Sequence, residues 1–177
     1  MDSLFVKKNV GAAILAVGSI MVFISSFLNF YICKVDGEKV KANLKELSDM
    51  ADEAGLSTFN PKILFIIYAC IGIIAACGML FAVGYEKISS AVGGVIGLAA
   101  LITIIVYSTD GALGDIKDYI DSLSKLASLF GEGTMDSDYG PALYLNCIGS
   151  IFMLIGPIFY FVVDHFFPSS KTDPSSF

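Results

Sequence analysis

The stretch ILFIIYACIGIIAACGMLFAV, Ile63 to Val83, is followed after only GYEKISS, Gly84 to Ser90, by AVGGVIGLAALITIIV, Ala91 to Val106, and this sequence decides the fold. Each apolar run approaches or reaches the roughly 20 residues that a helix needs to cross a hydrocarbon core of about 30 Å. A polar tip this short makes the two helices antiparallel neighbours, so both far ends return to the same side. The remaining chain has to be arranged around that transmembrane hairpin.

Composition agrees with it. The chain has 177 residues, 55% of them hydrophobic, with a mean hydropathy of +0.75, above what a water-soluble domain carries. The formal net charge of -6 excludes the basic surface that nucleic acid requires. All eleven basic residues are Lys, so neither guanidinium forks for phosphate nor an Arg-rich voltage sensor is available.

Outward from the hairpin, Val10 to Cys33 reads as an uncleaved first span: too long for a signal peptide's apolar core, with no Ala-x-Ala site after it. Gly11, Gly18 and Ser25 recur every seven residues along it. Small side chains let helices approach closely in lipid, where the hydrophobic effect cannot drive them together. The same logic applies to Gly93 and Gly97 in the third span and to Gly149 and Gly156 in the fourth. The GxxxG pair is assigned to packing within the monomer, since its neighbours are already tethered. Pro157 should bend the last helix slightly. The expected fold is an all-α four-transmembrane-helix bundle, one membrane domain over 1–177, with spans at about 10–33, 63–84, 89–107 and 142–163.

Two long loops remain, 34–62 and 108–141. In the first, Asp36-Gly37 between β-prone residues signals a short hairpin. Val40, Leu44, Leu47, Ala51 and Ala54 then predict an amphipathic helix stopped by Gly55. Asn60 and Pro61 open the second span. In the second loop, Leu113, Ile116, Ile120, Leu123, Ala127 and Phe130 predict another amphipathic helix, ended by Gly131 and Gly133. Alternating spacings of three and four suit a narrow helix-to-helix seam, so Leu44 and Leu47 are expected to pack against Ile116, Ile120 and Leu123 in a common cap. The acidic outer faces of both helices disfavour their lying on anionic lipid. The tail, 166–177, reads as disordered.

The loops share one side and the termini the other. Seven lysines lie on the loop side against four on the terminal side, which by raw count would put the loops inside. The loop lysines are interleaved with thirteen of the seventeen acidic residues, and Lys7 and Lys8 flank the first span, which usually dominates orientation. Both termini are therefore placed in the cytoplasm, with the protein in the cell membrane.

The spans contain no Asp, Glu, Lys, Arg or His, the residues that pumps and carriers keep at membrane depth. Asn29 and Asn146 fall at similar depth and are candidates to meet across the bundle. Cys33 and Cys147 have the same relation, and the sequence leaves open whether they pair. The single histidine, His165, has no catalytic or zinc partners in its surroundings. Asp136-Ser137-Asp138 lacks the glycine turn and terminal Glu of a calcium loop. No catalytic, cofactor or metal residue is assigned.

A first span running into a strand hairpin, a tight inner turn, and a second outer loop before span four resembles the layout of claudin-like tetraspan proteins. Asp138-Tyr139-Gly140 ahead of the last span is similar to small four-span proteins of bacteria and archaea. The chain departs from claudins in having no Trp, and only Cys33 at the first loop's edge. The resemblance implies a tetraspan bundle and transfers no activity. The reading is a non-enzymatic, multi-pass interaction, scaffold or assembly protein. Its partners are the lipid bilayer and, through the cap, a protein partner or another copy. The alternative is a small channel, holin-like pore or carrier.

Overall fold

The computed structural model describes residues 3–35, 38–53, 55, 61–109, 112–130 and 135–166. In chain order these form α1 (Ser3–Ser25), β1 (Asn29–Val35), β2 (Glu38–Asn43), α2 (Leu44–Glu53), α3 (Lys62–Phe81), α4 (Glu86–Thr109), α5 (Ala112–Phe130), β3 (Met135–Tyr139) and α6 (Pro141–Phe166). The helices α3, α4 and α6 are long and apolar enough to cross a membrane, and α1 contributes the shorter apolar run Asn9–Ser25. With 20, 24 and 26 residues, the three long helices span about 30, 36 and 39 Å.

These four helices form a closed bundle: α1 packs on α3 and α6, and α4 packs on the same two. Its packing inverts that of a water-soluble domain. Small residues such as Ala12, Ser19, Ala69, Gly93, Gly97, Gly149 and Gly156 are buried between the helices. Large ones point outward, with Ile74, Phe81 and Val95 being 69%, 78% and 67% exposed. A continuous belt of this kind is penalised by water and favoured by hydrocarbon, consistent with a membrane protein.

The closest contact is between α1 and α6, which run antiparallel. A Cβ built on Gly18 would lie 2.5 Å from the Gly149 carbonyl oxygen and 2.7 Å from the Met153 nitrogen; one on Gly156 would lie 2.6 Å from the Gly11 carbonyl oxygen. Only hydrogen fits at these positions. On the other side of α6, a Cβ on Gly97 would meet Met153's carbonyl carbon at 2.8 Å. Pro157 has no N–H to offer Met153's carbonyl, and α4 closes against that turn.

The first apolar run departs from expectation. Its helix ends at Ser25, and Asn29 to Cys33, expected inside span 10–33, is strand. The hydroxyls of Ser25 and Ser26 both donate to the Val22 carbonyl, at 2.8 and 2.9 Å. The following amides tighten to i−3 bonds, Ser26 to Phe23 and Phe27 to Ile24. A helix so exhausted releases the β-prone Phe30-Tyr31-Ile32-Cys33 to pair elsewhere.

The hairpin forms in the expected register, Val35 opposite Glu38, leaving the Asp36-Gly37 turn itself outside the described residues. The helix expected from Val40 begins instead at Leu44, and Val40 is a strand residue, 53% exposed. Asn43 is the reason. Its Oδ1 accepts from the amides of Lys45 and Glu46, while Glu46 Oε2 accepts from the Asn43 amide, a reciprocal capping box. The all-α expectation also omitted β3, which pairs antiparallel with β1 to give the sheet order β2-β1-β3. Met-Asp-Ser-Asp-Tyr has little strand propensity, so the pairing comes from β1's open edge. The expected third span, 89–107, is longer at both ends, since α4 takes in the polar residues from Glu86. Gly131, Gly133, Asn60 and the tail beyond Phe166 lie outside the described residues.

The α1–α6 seam is testable by the smallest addition. Gly18→Ala places a carbon against backbone, which cannot yield, and should cost about 1–3 kcal/mol, read as a lower melting temperature in detergent. Gly94→Ala, whose new carbon would meet Pro157 at an ordinary 3.5 Å, is the matched control. Equal melting of the two variants would mean that α1 and α6 are not in backbone contact.

Candidate functional site

The two loops build one cap. From the first come β1, β2 and α2; from the second, α5 and β3; and the loops join where β1 pairs with β3 and where α2 packs on α5. Leu44, Leu47, Leu113 and Ile116 are buried and Ile120 is partly buried against them. The side chain of Leu123, the remaining residue expected in this seam, is outside the described residues.

The sheet has two different faces. Tyr31, Cys33 and Ala42 are buried on the inner one. There Ser137 donates to Asp121 Oδ1 at 2.9 Å and the Lys117 ammonium sits 4.3 Å from the centre of the Tyr139 ring, so α5 is held to β3 by one hydrogen bond and one cation–π contact. On the outer face Lys39 is opposite Lys34, and Lys41 is opposite Ile32, which is opposite Asp138. Exposed Lys34, Lys39 and Lys41 line β1 and β2 on this face, and exposed Asp138 stands on β3. Both edges are blunted: β2 by its lysines, and β3 by Asp138, whose Oδ1 accepts from the Tyr139 amide at 2.8 Å. On α2 and α5, Glu46, Asp49, Asp52, Glu53 and Asp118 are exposed and make the outer surface of the helices acidic.

Tyr31 is 2% exposed and its hydroxyl has no hydrogen-bond partner of ordinary geometry among the described residues. Burial pushes the phenol up to about 12, with Cys33, Asp121 and Tyr139 adding to the rise and the nearby Ser137 hydroxyl moderating it. Tyr107, fully buried at the end of α4 nearest the cap, also has a hydroxyl with no hydrogen-bond partner among the described residues.

The other expected residues fall as follows. Asn146 is buried and meets Ser25, not Asn29: its Nδ2 donates to Ser25 Oγ at 2.8 Å, and Ser150 donates to Asn146 Oδ1 at 3.4 Å. Asn29 instead opens β1, opposite Asn43, because the helix has already ended. Gly11, Gly18, Gly149 and Gly156 form the α1–α6 seam, and Gly93 and Gly97 face Leu15, Pro157 and Met153 within the chain. Cys33 and Cys147 are not joined in a disulfide. No group of three or more His, Cys, Asp or Glu side chains that could hold a metal ion occurs among the described residues. Ser137 has a carboxylate partner, whereas His165 is at the opposite end of α6, against Phe166. Sequence reasoning missed β3 and the Asn43 cap; only the cap had a readable signal, Asn followed three residues later by Glu.

No protein-family model, curated protein or solved structure matches this chain.

Two outcomes follow from the cap's packing. Ile120→Asp puts a carboxylate into the α2–α5 seam, so amide exchange of residues 44–53 should accelerate at least about tenfold, the factor for 1.4 kcal/mol; unchanged protection there would make the helices independent. Tyr31→Phe removes a buried hydroxyl with no geometric hydrogen bond among the described residues and should leave stability unchanged or raise it. An unfolded phenol ionises near 10 and the folded one about two units higher. Wild-type stability therefore falls as pH rises from about 10 to 12, and melting curves of the Phe variant should fall less over that interval.

Proposed function

We propose that this chain is a four-span, multi-pass protein of the cell membrane, with both termini cytoplasmic. In this reading it is not an enzyme and acts as an interaction, scaffold or assembly component through its loop cap. The observation that carries the reading is the β1–β3 pairing, which joins two loops distant in sequence into one folded surface. A surface built that way is preorganised for recognition, whereas loops that only connect spans have no need of it. The belt of exposed Ile, Val and Phe supports the membrane placement, and the acidic α2 and α5 faces support a cap held away from anionic headgroups. The occupant of the cap is a protein partner or a second copy.

The channel, pore or carrier alternative is disfavoured by the bundle's centre. Leu15, Met79, Ile104 and Met153 are fully buried there, and α1 meets α6 through backbone. A water path needs polar lining.

A photoreactive residue tests both. Placed at Tyr119, which is 56% exposed on α5, it should crosslink to protein in native membranes, while the same residue at Ile74 on α3 should label lipid alone. Ion conductance by the purified protein in planar bilayers, without protein adducts at Tyr119, would favour the pore. Impermeant labelling of Ser175→Cys but not Ser124→Cys in intact cells would invert the sidedness.

A further inference from the structure

A groove of about 270 Å³ lies between α4 and α6 on the outside of the bundle. Ala91, Gly94 and Leu98 line it from α4, and Leu154, Pro157 and Phe161 from α6. Its one polar lining residue, Ser90, turns its hydroxyl to the Pro157 carbonyl at 3.4 Å, so the slot itself offers only hydrocarbon contacts. Both walls continue along their own helical stripes to the same point. Lys87, Ala91, Gly94 and Leu98 recur at spacings of four, three and four; Leu154, Pro157, Phe161 and Asp164 at three, four and three. Where the stripes run out, the Lys87 ammonium meets Asp164 Oδ2 at 3.0 Å.

We propose that this groove binds one acyl chain of a zwitterionic phospholipid with a primary-amine headgroup, its phosphate at Lys87 and its ammonium on the carboxylate side of the rim. The inference rests on the four-span placement above. Three features select this occupant. First, α4 and α6 touch directly through Gly97 and Met153, so the groove is a valley between packed helices, with a volume of about 270 Å³ and an apolar lining that suit a hydrocarbon chain. Second, the rim carries both signs. Lys87, 68% exposed, can reach a phosphate, and the Asp164 carboxylate beside it matches a headgroup that also carries a positive charge, which an anionic headgroup does not. Third, a primary ammonium donates N–H bonds to a carboxylate, which a quaternary choline cannot.

The test uses the full-length protein in vesicles containing phosphatidylethanolamine, phosphatidylcholine or phosphatidylglycerol, each with a diazirine on one acyl chain. Peptide mapping should place the adduct in 90–98 and 154–161, with the ethanolamine lipid favoured about tenfold, the ratio one charge-assisted hydrogen bond supplies. Gly94→Leu and Ala91→Leu, which fill the slot from two positions, should each abolish the adduct. Lys87→Gln should weaken labelling by all three lipids, and Asp164→Asn should erase the preference for ethanolamine over choline while leaving choline labelling intact. Equal labelling by the three lipids, persistence in both slot-filling variants, or a crosslink from Val95→Cys to a second copy would overturn the proposal. Release of the chain from membranes by alkaline carbonate would instead defeat the four-span placement. Retention with headgroup-blind labelling would defeat only the lipid site.

Discussion

The backbone contact between α1 and α6 is the constraint on which the rest of the structure depends. Gly11 lies against Gly156 and Gly18 against Gly149, and a single added carbon at either end of the seam has nowhere to go. In hydrocarbon there is no water to expel, so helices are held by the van der Waals contact and hydrogen bonding that close approach allows. The Asn146–Ser25 bond continues the seam one step toward the cap. It places a polar pair where its alternative would be an unpaired amide among apolar side chains.

The seam does not stop where the helices do. Beyond Ser25 the chain enters β1, and ahead of Pro141 it arrives from β3, so the two legs that pack as helices inside the bundle pair as strands above it. The Gly140 amide donates to the Phe30 carbonyl at 2.7 Å, the first rung, followed by Tyr31 opposite Tyr139 and Val35 opposite Met135. Gly140 is required there, because a side chain would run into the Asn29 carbonyl. One continuous antiparallel zipper therefore links the helical bundle to the cap, and the position of the cap's sheet follows from the packing of α1 on α6. The cap is an extension of the bundle.

The second pair on α6 is looser. Ser90 reaches the Pro157 carbonyl and Gly97 fits against Met153, but between them Gly94 leaves a slot open to the outside. Proline enters twice into that arrangement. It removes an amide from the α6 ladder and presents a flat apolar ring toward α4, where a glycine gives it room. One helix thus has a dry, filled side toward α1 and an unfilled side toward the exterior.

The sequence by itself determined that the chain has several long apolar helices, the antiparallel hairpin of α3 and α4, the hairpin of β1 and β2, and the two amphipathic helices of the loops, while the first apolar run proved shorter than the expected 10–33. These are local properties: run length, period and turn chemistry are each written within a few tens of residues. It also showed that Gly11, Gly18, Gly149 and Gly156 recur every seven residues, and so that they share helix faces. Which faces met was decided by tertiary structure, because a stripe of small residues carries no address and α3 and α4 offered similar stripes. The same holds for Asn146, whose partner is Ser25 and not Asn29. Depth in the membrane is legible from sequence, but azimuth around the bundle is set by packing. Only the tertiary structure made Met135–Tyr139 a strand. Its residues prefer no ladder, and they join one because α1 and α6, already locked together by their glycines, deliver them to the open edge of β1.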